Sequence, residues 1–201
     1  MERQVSGRRD LRVTGTGSTS GGTYQNVRLV GEGSVDGHLE CQKFRAIGTF
    51  QCKGDVHAEH LRVVGTVDVD GTLYGGRTRI TGELSTTGDC SADVLEVRGT
   101  LRVGGLVNAD RVDIRLYGPA RCTDIGGGVI RIRPSLKFRS SDKGLSAETI
   151  EGDEVHLRDA RVQVVRGKRV WIGPGCEIGR VEYTDELHEA MGASITESQR
   201  V

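Results

Sequence analysis

Between Gly31 and Gly105 the chain keeps a strict 17-residue period. One glycine series falls at Gly31, Gly48, Gly65, Gly82 and Gly99, and a second at Gly37, Gly54, Gly71, Gly88 and Gly105. Neither series slips. A fixed period of this length belongs to a solenoid, in which each repeat is one coil stacked on the last. A residue must then suit the same place in the coils above and below it.

Counting each repeat from its first glycine as position 0, the apolar residues fall in pairs two apart. Positions 2 and 4 hold Phe50/Cys52, Val67/Val69 and Leu101/Val103. Positions 8 and 10 hold Leu39/Cys41, Val56/Ala58 and Val107/Ala109. Positions 13 and 15 hold Phe44/Ala46, Leu61/Val63 and Leu95/Val97. Spacing by two is the strand period, with both members of a pair on one face. Three pairs per repeat predict three very short strands and three corners, hence a triangular cross-section. The 30 glycines, about twice the ordinary share, mark corners rather than disorder because they keep the period. The expected fold is all-β, a three-sided parallel β-helix with coils of about 17 residues.

The pattern weakens toward both ends. Leu11 and Val13 recur as Val27 and Leu29, and Val112 and Ile114 recur as Ile130 and Ile132. Later pairs are read as Val155/Leu157, Val162/Val164, Val170/Ile172, Cys176/Ile178 and Val181/Tyr183. Residues 1–10 read as a charged N-terminal arm and residues 11–183 as the solenoid. A polar loop is expected at 134–147. Residues 184–201 are expected to be a tail, either disordered or folded over the last coil through Leu187 and Met191. Roughly ten coils at about 4.8 Å each give a rod about 50 Å long.

The residue between positions 13 and 15 points outward. Successive coils place Arg12, Arg28, Arg45, Arg62 and Arg79 there, then Glu96, Asp113 and Arg131. The first five form a candidate basic stripe, suited to an acidic partner, anionic lipid or the acidic part of a neighbouring rod. The whole chain is balanced, with 28 basic and 28 acidic residues, so charge gives no argument for nucleic acid. Five cysteines without a C-x-x-C pair read as reduced, buried, small apolar residues of a cytoplasmic protein. No secretory signal or membrane span is visible. His38, His57 and His60 occupy different columns, and no nucleophile, phosphate loop or paired-carboxylate motif stands out. No catalytic, cofactor-binding or metal-binding residues are assigned.

The strings Gly31-Glu-Gly-Ser-Val-Asp-Gly37, Gly65-Thr-Val-Asp-Val-Asp-Gly71 and Gly99-Thr-Leu-Arg-Val-Gly-Gly105, on a 17-residue coil, resemble the bactofilins. These are bacterial polymer-forming cytoskeletal proteins. Residues 11 to 132 carry the likeness. Ile150-Glu-Gly-Asp-Glu154 and the run from Val170 to Gly179 look like the extended Gram-positive form. The resemblance implies a right-handed β-helix whose subunits join end to end, without nucleotide, into filaments that scaffold envelope, shape or motility machinery. The implied partners are further copies of the chain, a bactofilin paralogue, and envelope or motility proteins. Membrane contact through the N-terminus is expected to be weak, because that segment is charged. End-to-end joining would use Leu11 and Val13 at one end, and Ile178, Val181 and Tyr183 at the other. Two other readings stand beside it. One is a β-helical enzyme of acyltransferase or zinc-lyase type, disfavoured because 17 is not a multiple of the six-residue unit of those coils. The other is a monomeric adaptor capped by its tail.

Overall fold

The computed structural model describes residues 9–135 and 144–201. They form twelve strands and no helix. These are β1 (Arg9–Thr19), β2 (Gly22–Val35), β3 (Leu39–Cys52), β4 (Val56–Val69), β5 (Leu73–Thr86) and β6 (Cys90–Val103), then β7 (Leu106–Arg121), β8 (Asp124–Pro134), β9 (Leu145–Leu157), β10 (Ala160–Ile172), β11 (Glu177–Glu189) and β12 (Ser194–Arg200). All lie in one parallel sheet in chain order, wound as a solenoid of about 11 turns. Each coil is one long bent strand rather than three short ones. β4 carries the inward pairs Val56/Ala58, Leu61/Val63 and Val67/Val69 through two corners without losing its ladder. The three pairs give three inner faces, as the spacing predicts.

From β2 to β6 the register is 17 without a shift, so Val27, Phe44, Leu61, Thr78 and Leu95 stand one above another. The position-0 glycines stack likewise, with φ between 120° and 153° from Gly31 to Gly99. That backbone turns the missing Cβ toward the coil beneath. A Cβ on Gly65 would sit 2.0 Å from the carbonyl oxygen of Gly48. The corner is therefore closed to any other residue while the coils keep strand spacing.

The interior is continuous and apolar, from Val27 to Val181. Phe44 and Phe50 meet edge to face at 4.6 Å. Two polar side chains interrupt its regular coils: Thr86, whose hydroxyl donates to the Gly88 carbonyl at 3.1 Å, and Thr78. Thr78 is fully buried, and its hydroxyl has no hydrogen-bond partner. It occupies the space left by Gly75, where a Cβ would lie 2.0 Å from Thr78 Oγ1. An orphaned buried hydroxyl is costly. Thr78→Val keeps the shape and removes that cost, so it is expected to raise stability by about 1 kcal/mol. Urea denaturation measures it; an unchanged or lowered midpoint counts against this account.

Several boundaries differ from the sequence expectation. Arg9 and Asp10, assigned to the N-terminal arm, already belong to β1. Pro134 closes β8, and Leu145 to Ala147 open β9 with Leu145 1% exposed, so the ends of the expected 134–147 loop are part of the stack. Residues 136–143 lie outside the described residues. Ile132 pairs with Leu157 and Ala120 with Leu145, steps longer than one regular coil. β9 pairs in parallel with both β7 and β8. Beyond them the coil shortens to 15, as in Leu145↔Ala160 and Leu157↔Ile172. The inward frame there is Ala160/Val162 and Val165/Gly167 rather than Val162/Val164, because Val162 is buried and Val164 only half-buried. 

The largest correction is at the C-terminus. Residues 184–201 are neither a tail nor a lid. β11 runs to Glu189, and β12 adds a further coil, pairing Ile178↔Ile195, Val181↔Ser198 and Tyr183↔Arg200. Leu187 stacks on Val170 within the wall, and Met191 is 96% exposed in the turn between strands.

Candidate assembly ends and outer face

A stack of coils has backbone donors and acceptors left over only on its first and last strands. Among the described residues β1 pairs on one side, with β2, and β12 on one side, with β11. The two ends differ chemically. At the β1 end Leu11 and Val13 are half-buried against the core, with Tyr24 beside them. Tyr24 holds its corner by donating its hydroxyl to the Gly21 carbonyl at 3.3 Å. At the β12 end the inward columns turn polar. Ser198 and Arg200 follow Val181 and Tyr183, and Glu189 follows Ile172. Arg200 Nε donates to the Thr184 carbonyl at 2.9 Å, covering part of the penultimate coil. Ile195 and Leu187 remain half-buried there.

These placements correct half of the expected joining surface. Leu11 and Val13 do lie on the first coil. Ile178 and Val181 are 2% and 0% exposed beneath β12, and Tyr183 carries Arg200 above it. None of the three is an end-face residue. Ile195 escapes a reading of the sequence because Thr196 to Val201 looks too polar to continue a core.

The outward column on the third face runs the length of the rod. In register it reads Arg12, Arg28, Arg45, Arg62, Arg79, Glu96, Asp113, Arg131, His156, Trp171 and His188. The five expected arginines are thus adjacent, at about 4.8 Å intervals. Arg79 is held by Glu96 through two bonds of 2.7 and 2.9 Å, and this pair draws the Glu96 carboxyl below its usual range. Asp113 is taken by Arg133 at 3.1 Å. Among the described residues no carboxylate pairs with Arg12, Arg28, Arg45 or Arg62. The C-terminal coils are the opposite. There Arg161 meets Glu177, Arg166 meets Glu182, Lys168 meets Asp153, Arg169 meets Glu154 and Arg180 meets Glu197, each one coil away. Such exposed pairs add little stability each, but they neutralise that half.

Two columns border the arginines. On one side Lys43, His60 and Arg77 stack in register. On the other Val30, Ile47 and Val64 stack, and they are 39%, 59% and 45% exposed. A shallow groove of about 300 Å³ lies between Lys43, His60 and Arg77 and the arginine column.

Further along, the same column becomes an aromatic stack that the regular repeat does not reveal. His156 lies parallel to Trp171 with ring centres 4.1 Å apart, and His188 covers the other face at 5.5 Å. The 17-residue count loses these residues because the intervening offsets are 25, 15 and 17. Burial, then the Arg131 charge, push the His156 pKa below its usual value, against a smaller opposing pull from Glu154. Protonation is therefore easier in the unfolded chain. The His156 contribution to stability is complete above the ordinary histidine pKa, about 6.5. It declines as pH falls from there toward the folded value. Urea midpoints followed by Trp171 fluorescence should fall over that window, and His156→Gln should flatten the fall. Identical pH profiles for the two proteins would refute this assignment.

All five cysteines are buried and free, with burial raising Cys41, Cys90 and Cys122 to about 12. Thiols held there are poor nucleophiles. His38 packs by Asp55, with Nδ1 accepting from the Asp55 amide at 3.1 Å. His57 tilts against Tyr74. Among the described residues no three His, Cys, Asp or Glu side chains converge as a metal would require, and no helix is long and apolar enough to cross a membrane.

Two proteins of Bacillus subtilis (strain 168) resemble this chain along nearly all of its length. The uncharacterized protein YhbF is 47% identical over 210 aligned residues, covering 87% of this chain and 89% of the relative. The uncharacterized protein YhbE is 43% identical over 231, covering 95% and 98%. The chain belongs to the YhbE/YhbF family. No protein-family model and no solved structure matches it. The aligned share is larger than the regular repeats between Gly31 and Gly105 alone would supply.

Proposed function

We propose that the protein is a structural, non-enzymatic subunit of bactofilin type, which assembles end to end without nucleotide into cytoplasmic filaments. The observation that carries this reading is the β1 end. There the core simply stops, with Leu11 and Val13 half-covered and the outer edge of β1 without a partner among the described residues. A second copy turned head to head would bury the same patch against itself, an isologous contact. Leu187 and Ile195, with the edge of β12 that has no partner among the described residues, provide the corresponding surface at the other end. Envelope or motility proteins are the clients that the bactofilin likeness suggests. Co-assembly with a paralogue has its own support, since one organism carries two relatives that align with most of this chain.

Negative-stain microscopy and light scattering of the purified full chain test the proposal. Filaments with a length of roughly 50 Å per subunit, and hence a head-to-head pair about every 100 Å, are expected from the strand spacing. Leu11→Arg should shorten them to small oligomers while circular dichroism stays unchanged. Monomers throughout, or full-length filaments in Leu11→Arg, would overturn it. The polar last coil favours a second reading, in which only the β1 ends join. The assembly would then stop at a dimer, which the same scattering measurement separates by mass.

A further inference from the structure

We infer that the face bearing the outward arginines of β1–β5 is a docking surface for an anionic lipid bilayer. Arg12, Arg28, Arg45 and Arg62 stack in register with no carboxylate partner among the described residues, and Lys43 and Arg77 stand in the neighbouring column. Like charges held at about 4.8 Å repel. The C-terminal coils show how this fold relieves such repulsion, by alternating sign from one coil to the next. The N-terminal coils leave it unrelieved. The acidic groups near this face are Asp10, held by Asn26, with Glu32 and Glu59 at its borders; Glu83 is taken by Arg102 and Glu96 by Arg79.

Charge alone would suit any polyanion. The aliphatic column selects among them. Val30, Ile47 and Val64 run parallel to the arginines with between 39% and 59% of their surface in water. A bilayer offers anionic headgroups in a plane with apolar matter directly beneath. Arginines that reach phosphates while a β-branched row settles among the upper chain segments match that layering. A nucleic acid would satisfy the arginines and leave the aliphatic row unrewarded. A purely acidic peptide would likewise meet the arginines and leave that row in water. The surface belongs to a single subunit, so the inference is independent of end-to-end assembly; filaments would only multiply the contact.

The test is co-sedimentation of the full-length protein with vesicles of phosphatidylglycerol and phosphatidylcholine in equal parts, and with vesicles of phosphatidylcholine alone. Binding to the first and not the second is expected, weakening as salt rises. The triple variant Arg28→Glu, Arg45→Glu, Arg62→Glu should lose affinity on the order of a hundredfold, since each basic side chain near an anionic surface contributes about a factor of five. Val30→Ser, Ile47→Ser, Val64→Ser should weaken vesicle binding several-fold while leaving binding to polyglutamate or duplex DNA unchanged. Thermal melts confirm that both variants fold. Absence of vesicle binding, or vesicle binding indifferent to both triple variants, overturns the inference. So does loss of binding in Arg3→Glu, Arg8→Glu while the face variants retain it. Tighter binding to polyglutamate or DNA than to the anionic vesicles, untouched by the serine variant, assigns the surface to a different partner and overturns it as well.

Discussion

Gly65→Ala is expected to destabilise the protein by about 4 kcal/mol or more, the range of severe core lesions. One added methyl does this because two demands coincide. The glycine has φ of +134°, which L side chains rarely adopt, and its Cβ would lie 2.0 Å from the carbonyl oxygen of Gly48 and 2.8 Å from its carbon. That carbonyl belongs to the ladder itself, so it cannot move aside without parting two coils. Gly15→Ala is the matched control. It stands in the same column and also has positive φ, +82°, yet nothing lies within 4 Å of its Cβ because no described coil sits below it. It should cost only the conformational part, about 1 kcal/mol. Urea denaturation of the two variants separates contact from conformation. Equal losses would show that the close carbonyl has no part in the effect.

Ile178→Arg should cost a similar amount, but in one place. Ile178 is 2% exposed between Val162 and Ile195, and an arginine there puts a charge into an apolar stack without a partner. A solenoid's coils contact only their neighbours, so the damage should propagate to the near end rather than through the whole rod. Amide hydrogen exchange is expected to show β11 and β12 losing protection while β3–β6 keep theirs. Ile195→Arg, on the last coil and only half-buried, should cost about 1 kcal/mol and leave β11 protected. Intact protection of β11 in Ile178→Arg would mean that Ile178 lies on an end face, as the sequence alone suggests.

That contrast shows where the sequence is readable. A strict period fixes everything that depends on stacking like on like. The inward pairs, the glycine corner and the Arg12-to-Arg79 column can be read directly, because each copy is checked by four others. Readability ends where the coil length changes. From residue 120 onward the offsets run 25, 15, 16 and 17, and one residue of error turns an inward side chain outward. Hence the spacing places Val164 on the wrong face, and it hides the His156–Trp171–His188 stack. The last coil is obscure for a different reason. An end strand has only one neighbour to satisfy, so Ser198 and Arg200 can occupy positions that are apolar elsewhere, and the hydrophobic signature fades just where the fold is finishing. The exposed Val30, Ile47 and Val64 column is in the sequence too, but β-branched residues are common on the outside of strands. Only its register beside the arginines gives it meaning.

The unbroken register from β2 to β6 has a consequence for how such a chain can change. Any single-coil block within it begins and ends at equivalent points, so losing or duplicating one leaves every remaining contact of the same kind. Length is then a quantity that mutation can adjust in whole steps of about 4.8 Å, like links in a watch strap, without touching the quality of the core. What changes at each step is the neighbour across the splice. Removing the link that carries Arg62 would seat Arg45 directly on Arg79, and removing the next as well would bring Arg45 against Glu96. The span of the rod and the pattern of charge along it are therefore edited together, by the same event.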